Sequence, residues 1–407
     1  MKKIFSNLPK ILLAMMFVLA GVLVLGNTRI KADELDNDGK VVRVSTIKQL
    51  NKAINDPDVS TIFFKTMEKS NFTIKANKNA ADKRLIINTS NANITNRAVF
   101  AEIDIQAVGY YIEKASGNFY VIENPSNIYQ FVVAKHKTVS GIALLSNTTF
   151  NESYAFYKLR KGAKVEKVVI SYYTDIDNPD ADIVGVYDES KNEISLDYTD
   201  MDGAERSYTF KLDKRGRITK MTSQATFNFD YTFKYNKNGY MVKTSGYDDD
   251  DGNFTLTYKY DGYYIQDQKF EGDFRTYEYT YSFEKGAGYT QPYEVTYSYS
   301  SAEDGESGYV KNYLYDEKGR EKSCITDFLN GMKMESITEI DSNYVVKITY
   351  TFYTDDGEQY GDSEIVTYEF NKAGDLINMI STYGDEVNSI TYEYDEDGTL
   401  INIIYSE

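Results

Sequence analysis

Tyr231-Thr232-Phe233-Lys234-Tyr235-Asn236-Lys237-Asn238-Gly239-Tyr240-Met241 is the stretch on which the fold turns. Aromatic residues at alternate positions put their rings on one side of an extended strand. Asn236 opens a tight turn through its side-chain acceptor, and Gly239 supplies the positive φ that a hairpin turn needs. Met241 then begins the returning strand, so the unit is a β-hairpin. It recurs with the same spacing at Tyr208, Phe210, Asp213, Gly216 and Ile218; at Tyr313, Tyr315, Asp316 and Gly319; at Tyr368, Phe370, Asn371, Gly374 and Leu376; and at Tyr392, Tyr394, Asp395, Gly398 and Leu400. Shortened copies end at Gly262 and Gly286. Glycines 216, 239, 262 and 286, and again 374 and 398, follow one another every 23–24 residues. A second, acidic turn falls between units, at 248–252, 303–305 and 355–357. Residues 183–407 therefore read as an antiparallel hairpin meander.

The core aromatic-x-aromatic, Asp or Asn, two polar residues, Gly, x, aliphatic resembles the YD-repeat (Rhs-type) family over about 205–405. That resemblance implies β-hairpin repeats in an extracellular setting, and it transfers no functional residue. Arg follows the glycine only at Arg217 and Arg320, and the spacing slips to 33 and 55 residues between Gly286, Gly319 and Gly374. Choline-binding wall repeats are also rich in Tyr and Gly, but their hallmark Trp is absent from this chain.

Upstream the pattern changes. Ile47, Leu50, Ala53 and Ile54 share one face of a short helix, with Ser45 or Thr46 as N-cap and 55–57 as its stop. Apolar runs follow at 59–64, 72–74 and 85–87, and then Val99, Ala101, Ile103, Ile105 and Ala107 alternate with polar or outward residues. One strand every 18–24 residues with Asn-rich turns fits the coils of a parallel solenoid, capped by the helix. Residues 41–108 resemble the opening coils of secreted parallel β-helix, pectate-lyase-like proteins. A β-sandwich with one added helix is the alternative. The fold class expected is all-β: a parallel β-helix-like domain over 33–174, an acidic linker at 175–182, and the repeat domain at 183–407.

Lys2 and Lys3, the apolar run Ile11 to Gly26 and a break at Ala32 form a secretory signal, expected to be cleaved after Ala32. The run of 16 residues is shorter than the roughly 20 that span a bilayer, so no membrane span is expected after cleavage. Secretion with a single cysteine suggests a Gram-positive habit. Charge divides the remainder. Residues 33–174 hold 19 Lys and Arg against 14 Asp and Glu, a balance of +5; residues 175–407 hold 21 against 48, a balance of -27. Thirty of the 38 tyrosines follow residue 186. Such acidity argues against nucleic-acid binding.

One Cys and one His leave no thiolate metal cage, no His-pair zinc site and no supported triad. Three acidic stretches, at 36–39, 248–251 and 395–398, invite calcium, but none completes an EF-hand loop. They are taken as solvated turns, with no cofactor expected. Lys83, Arg84 and Arg97 are the basic residues a lyase would use, or else they decorate turns; His136 reads as a surface turn residue. The aromatic face is either a packed core or an exposed strip that stacks on sugar rings. Tyrosines outside the strand core, Tyr240, Tyr247, Tyr263, Tyr264 and Tyr289, are the candidate ligand-binding residues. The function expected is a secreted binding or adhesion protein contacting an extracellular glycan or a surface protein. A polysaccharide lyase or glycoside hydrolase with accessory repeats is the alternative.

Overall fold

The computed structural model describes residues 40–406, apart from 67–70, 147–149, 173–182, 200–202, 225–226, 263, 284–291, 302–304, 317–319, 342–344, 372–374 and 395–399. The expected signal segment 1–32, the expected linker 175–182, the acidic runs 36–39 and 395–398 and the candidates Tyr263 and Tyr289 lie outside the described residues. Apart from one α-helix and short 3-10 turns, the regular structure is strand. It forms two sheets, of eleven and eighteen described strands.

The strands of the first sheet pair mainly in parallel. One column of partners runs Ile62, Leu85, Ile103, Tyr120, Ile142 and Val168. A second runs Phe72, Ile94, Tyr111, Phe131 and Tyr157. Both columns are buried, because each step of 17–26 residues returns an apolar side chain to the same place. Asn side chains pair across successive rows: Asn93 donates to Asn71 at 2.9 Å between paired strands, so the Asn-rich stretch 88–93 is strand rather than turn, and Asn77 donates to Asn55 at 3.1 Å at the helix end. Glu113 is buried among Asn96, Asn118 and Tyr120, all donating to its carboxylate, and burial pushes that carboxyl above its usual range.

The helix Ile47–Ile54 is capped as its sequence dictates. The Thr46 hydroxyl accepts from the Gln49 amide, and Gln49 closes the capping box. Its buried residues Leu50, Ala53 and Ile54 are three of the four that share the amphipathic face. The strand Lys40–Val44 precedes the helix and pairs in parallel with Val59–Phe64, so the outermost strand of this sheet is one the apolar pattern did not single out.

The second sheet runs in strict chain order from Val186–Asp188 to Leu400–Ser406, every neighbour antiparallel. It does not close: those two strands each pair on one side within the sheet. The alternation of Phe229–Tyr235 is realised, with Tyr231 and Phe233 buried and Asp230 and Lys234 exposed. One hydrophobic core joins the two sheets, from Val44 through Phe150, Tyr208 and Phe233 to Phe270. A separate small core, of Val366, Tyr368, Leu376, Met379, Ile390 and Tyr392, belongs to the last strands.

The glycine turns of the hairpins lie along one end of the second sheet, and four of them touch the first half of the chain in reverse order. The turn at Gly216 meets Val165, that at Gly239 meets Leu159, Tyr264 meets Tyr110, and Asp375 meets Arg43 and Lys65. The meander thus follows the parallel sheet from its last strands back to its first.

Candidate functional site

The hairpin turns at Gly216 and Gly239 are built the same way. In the turn at Gly239, Asn236 Oδ1 accepts from the amides of Asn238 at 2.9 Å and Tyr240 at 3.1 Å, and Gly239 has φ +85. Asp213 does the same for Arg215 and Arg217. Where Arg follows the glycine it reaches back to that Asp: Arg217 Nε lies 2.7 Å from Asp213, and Arg320 Nε 2.7 Å from Asp316. The second aromatic of the unit locks the sheet. Tyr235, Tyr260 and Tyr394 donate their hydroxyls to the carbonyls of Ile218, Met241 and Leu376, the aliphatic residues that open the neighbouring strands.

Two of these turns and Arg160 border an open cleft of about 430 Å³. Arg160 forms one wall. Its Nη1 donates to the Tyr240 hydroxyl at 2.7 Å, and its guanidinium carbon lies 5.4 Å from the Tyr240 ring centre. Tyr240 stacks on Tyr260 at 4.8 Å and 30°, and Tyr258 continues the aromatic wall. Asn236 and Asn238 supply amides, and Lys259 stands exposed at the rim, 2.8 Å from Asp267. That carboxylate holds the Lys259 ammonium above its usual pKa. Burial, then the nearby phenols Tyr129, Tyr240 and Tyr235, push the Tyr260 phenol above its own. The cleft therefore offers fixed positive charge, neutral hydroxyls, amides and ring faces. Such a set complements polyhydroxylated or anionic ligands, and its volume lies in the usual range for small-molecule pockets, roughly 300–1,000 Å³.

The sequence-derived candidates separate. Tyr240 lines this cleft but is only 2% exposed, its ring packed between Arg160 and Tyr260. Tyr264 sits at the same end of the sheet, half-buried, its ring edge-to-face with Tyr110 at 4.8 Å. Tyr247 stands near the opposite end of the strand Met241–Asp248, 45% exposed, donating to Asp249 at 3.2 Å. Arg160, Tyr258 and Lys259 were not singled out by sequence. Tyr258 and Lys259 carried the signal of a shortened repeat; Arg160 carried none, because its partner is 80 residues away.

The acidic turn after Tyr247 is solvated only in its middle, where Asp249 and Asp250 are exposed. Asp248 and Asp251 are buried; Asp248 accepts from the amides of Asp250 and Asp251, and Asp251 is gripped by Arg275 at 2.5 and 2.7 Å. A guanidinium already fills the place where a cation would sit. No group of three or more His, Cys, Asp and Glu among the described residues is arranged to hold a metal ion. Lys83 also differs from a turn decoration: it is 1% exposed and donates to the carbonyls of Asp56 and Val59. Arg84 pairs with Glu102 at 3.0 Å, and His136 stands exposed in a turn at φ +60.

No family model matches the chain, and no curated protein matches it. Among solved structures it is similar to a porin-like protein from Bacteroides vulgatus ATCC 8482, at 11% identity and a TM-score of 0.25, over 49% of this chain and 95% of that one. It is also similar to a porin-like protein from Bacteroides uniformis ATCC 8492, at 12% identity and a TM-score of 0.25, over 51% and 84%. Likenesses this loose assign neither fold nor role. Among the described residues no helix is long and apolar enough to cross a membrane.

Proposed function

We propose that this is a secreted protein that binds an extracellular glycan, and that the cleft between Arg160 and the turns at Gly239 and Gly262 is where an acidic sugar seats. The observation that carries the reading is the Arg160 guanidinium, held against Tyr240 beside the faces of Tyr258 and Tyr260. A pinned guanidinium receives a carboxylate with little ordering cost, and the adjoining phenol rings cover the apolar face of a pyranose. Two architectural readings support it. The recurring turn chemistry agrees with YD-type hairpins, and the parallel columns with stacked Asn agree with a β-helix, both of them extracellular scaffolds. The lyase or hydrolase alternative has less behind it, because Lys83 and Arg84 are spent on carbonyls and on Glu102.

The test is binding of the purified chain to a panel of acidic and neutral polysaccharides, with Tyr258→Ala and Lys259→Ala beside it. Each substitution removes a contact of about 1 kcal/mol, so a five- to tenfold loss of affinity for acidic members is expected from each. Absence of binding across the panel, or variants that bind as the parent does, refutes the proposal.

A further inference from the structure

One surface of the parallel sheet is opposite in sign to the chain as a whole, whose net charge is -17. The second column turns Phe72, Ile94, Tyr111 and Phe131 into the core, so the residues alternating with them lie on the outer side. There Asn71, Asn93 and Tyr110 are partners in one row, and Thr73, Thr95 and Ile112 in the next. A third row lies just past the strand ends. Arg97 N donates to Ile74 O at 2.9 Å, Lys114 N to Asn96 O at 2.8 Å, Ala134 N to Glu113 O at 2.9 Å and Arg160 N to Val133 O at 3.1 Å. The ladder thus continues one residue beyond the strands and sets Lys75, Arg97, Lys114, Ala134 and Arg160 side by side, with Lys135 following Ala134.

The segments that leave these strand ends, 75–83, 97–101, 114–118, 134–137 and 160–163, hold nine Lys and Arg against one acid, Asp82. Lys75 and Arg97 are exposed and Lys114 is half-buried. Among the described residues none of these three forms an ion pair. Paired strands stand about 4.8 Å apart, close to the length of one sugar in a linear polysaccharide, so four steps carry the row about 19 Å from Lys75 to Arg160. Across the surface the rows read amide or phenol, then hydroxyl or aliphatic, then cation. Asn and Thr both donate and accept, which suits a ligand with hydroxyls beside each negative charge better than a bare polyanion. The row ends on Arg160, the residue that walls the cleft.

We propose that a linear acidic polysaccharide, with a carboxylate on each sugar, lies along this row from Lys75 past Arg97 and Lys114 into the Arg160 cleft. The inference rests on the reading of that cleft as an acidic-sugar site. It adds that the ligand is a polymer, read over about four units at once. Each exposed cation contributes little alone, because its charge is screened by water. Several at a fixed spacing act together on one chain, since every unit after the first binds from a high local concentration.

Mannuronate oligomers of increasing length, titrated calorimetrically into the full chain beside neutral mannose oligomers of matched length, test the row. Affinity for the acidic series should rise about tenfold from dimer to hexamer and then level off, and the neutral series should show no such rise. The double variant Lys75→Ala, Arg97→Ala should lose about tenfold for the hexamer and keep the parent's affinity for the dimer. Tyr258→Ala, in the cleft, should weaken both. Affinity independent of length, or a double variant that binds the hexamer as the parent does, overturns this inference and leaves the cleft standing. Oligothymidylate or polyglutamate of equal charge binding as tightly as the hexamer also overturns it, since charge alone would then suffice. Binding of no mannuronate at any length overturns both readings.

Discussion

Replacing Gly239 by Ala tests whether the repeat turns are docked on the first half of the chain or merely decorate the sheet. Gly239 has φ +85, and a Cβ built there would lie 1.8 Å from the Leu159 carbonyl oxygen. Gly262 has φ +63 in the next turn of the same row, with nothing within 4 Å of its Cβ position. Both Ala variants bear the cost of a left-handed backbone, about 1–2 kcal/mol. Only Gly239→Ala must also push its turn away from a backbone atom that cannot rotate aside. That displacement breaks the hydrogen bond from Arg160 to Tyr240, which bears a charged donor and contributes about 2 kcal/mol. Gly262→Ala should therefore cost about 1–2 kcal/mol and Gly239→Ala about 3–4 kcal/mol. Urea unfolding followed by tyrosine fluorescence reads both, because the chain has no Trp to mask it. Equal losses in the two variants would refute the docking, since the conformational cost alone would then account for both.

Two further outcomes follow from buried charges. Lys158 is buried, donates to the Phe156 carbonyl at 2.6 Å, and burial lowers its ammonium to a pKa of about 8 from 10.5. Between those values the unfolded chain holds a proton the folded chain has released, so stability rises with pH across about 8–10.5. Below that window the charged form burdens the fold by about 3 kcal/mol. Lys158→Met, losing one hydrogen bond of about 1 kcal/mol, should thus gain about 2 kcal/mol at pH 7. The gain should fade by pH 10.5 in parallel urea titrations; a gain independent of pH contradicts the assignment. Asp375 lies 3.1 Å from Arg43 and 3.3 Å from Lys65, itself only 5% exposed. Asp375→Asn leaves two cations facing each other and should cost about 2 kcal/mol, discounted for their partial exposure. The loss should shrink in high salt, and a salt-independent loss would mean packing rather than charge.

The hairpin unit was legible because its determinants are local: alternating aromatics, an Asx turn and a glycine lie within eleven residues. Gly216, Gly239 and Gly262 all have the positive φ that the pattern requires. The helix was legible for the same reason, through Thr46 and Gln49. Pairs such as Ile62 with Leu85 and Leu85 with Ile103 were legible from recurrence alone, and they are parallel neighbours. What escaped was long-range. Nothing near Arg160 marks Tyr240 as its partner, and nothing near Asp375 marks Arg43, 332 residues away. The buried Asp248 and Asp251 escaped because an acidic run looks solvated unless the Arg that neutralises it is known. Arg275 lies 24 residues from Asp251, one repeat on.

The charge division of the chain therefore does less to hold its halves together than its size implies. Among the described contacts of the turn row, one is an ion pair, Asp375 with Arg43 and Lys65. The others pass through neutral acceptors or apolar groups. Arg215 donates to the carbonyls of Ala163 and Leu159, Tyr157 donates to the carbonyl of Gly216, and the Tyr264 ring meets Tyr110. Hydrogen bonds to carbonyls are set by distance and direction and are little screened, whereas surface attraction fades beyond about 10 Å at moderate salt. Salt should then loosen the last hairpins at Asp375 while the turns at Gly216 and Gly239 stay seated. The net acidity is free for another task. Spread over exposed positions such as Asp230, Glu271 and Glu386, it keeps a wide, tyrosine-rich sheet from pairing at random.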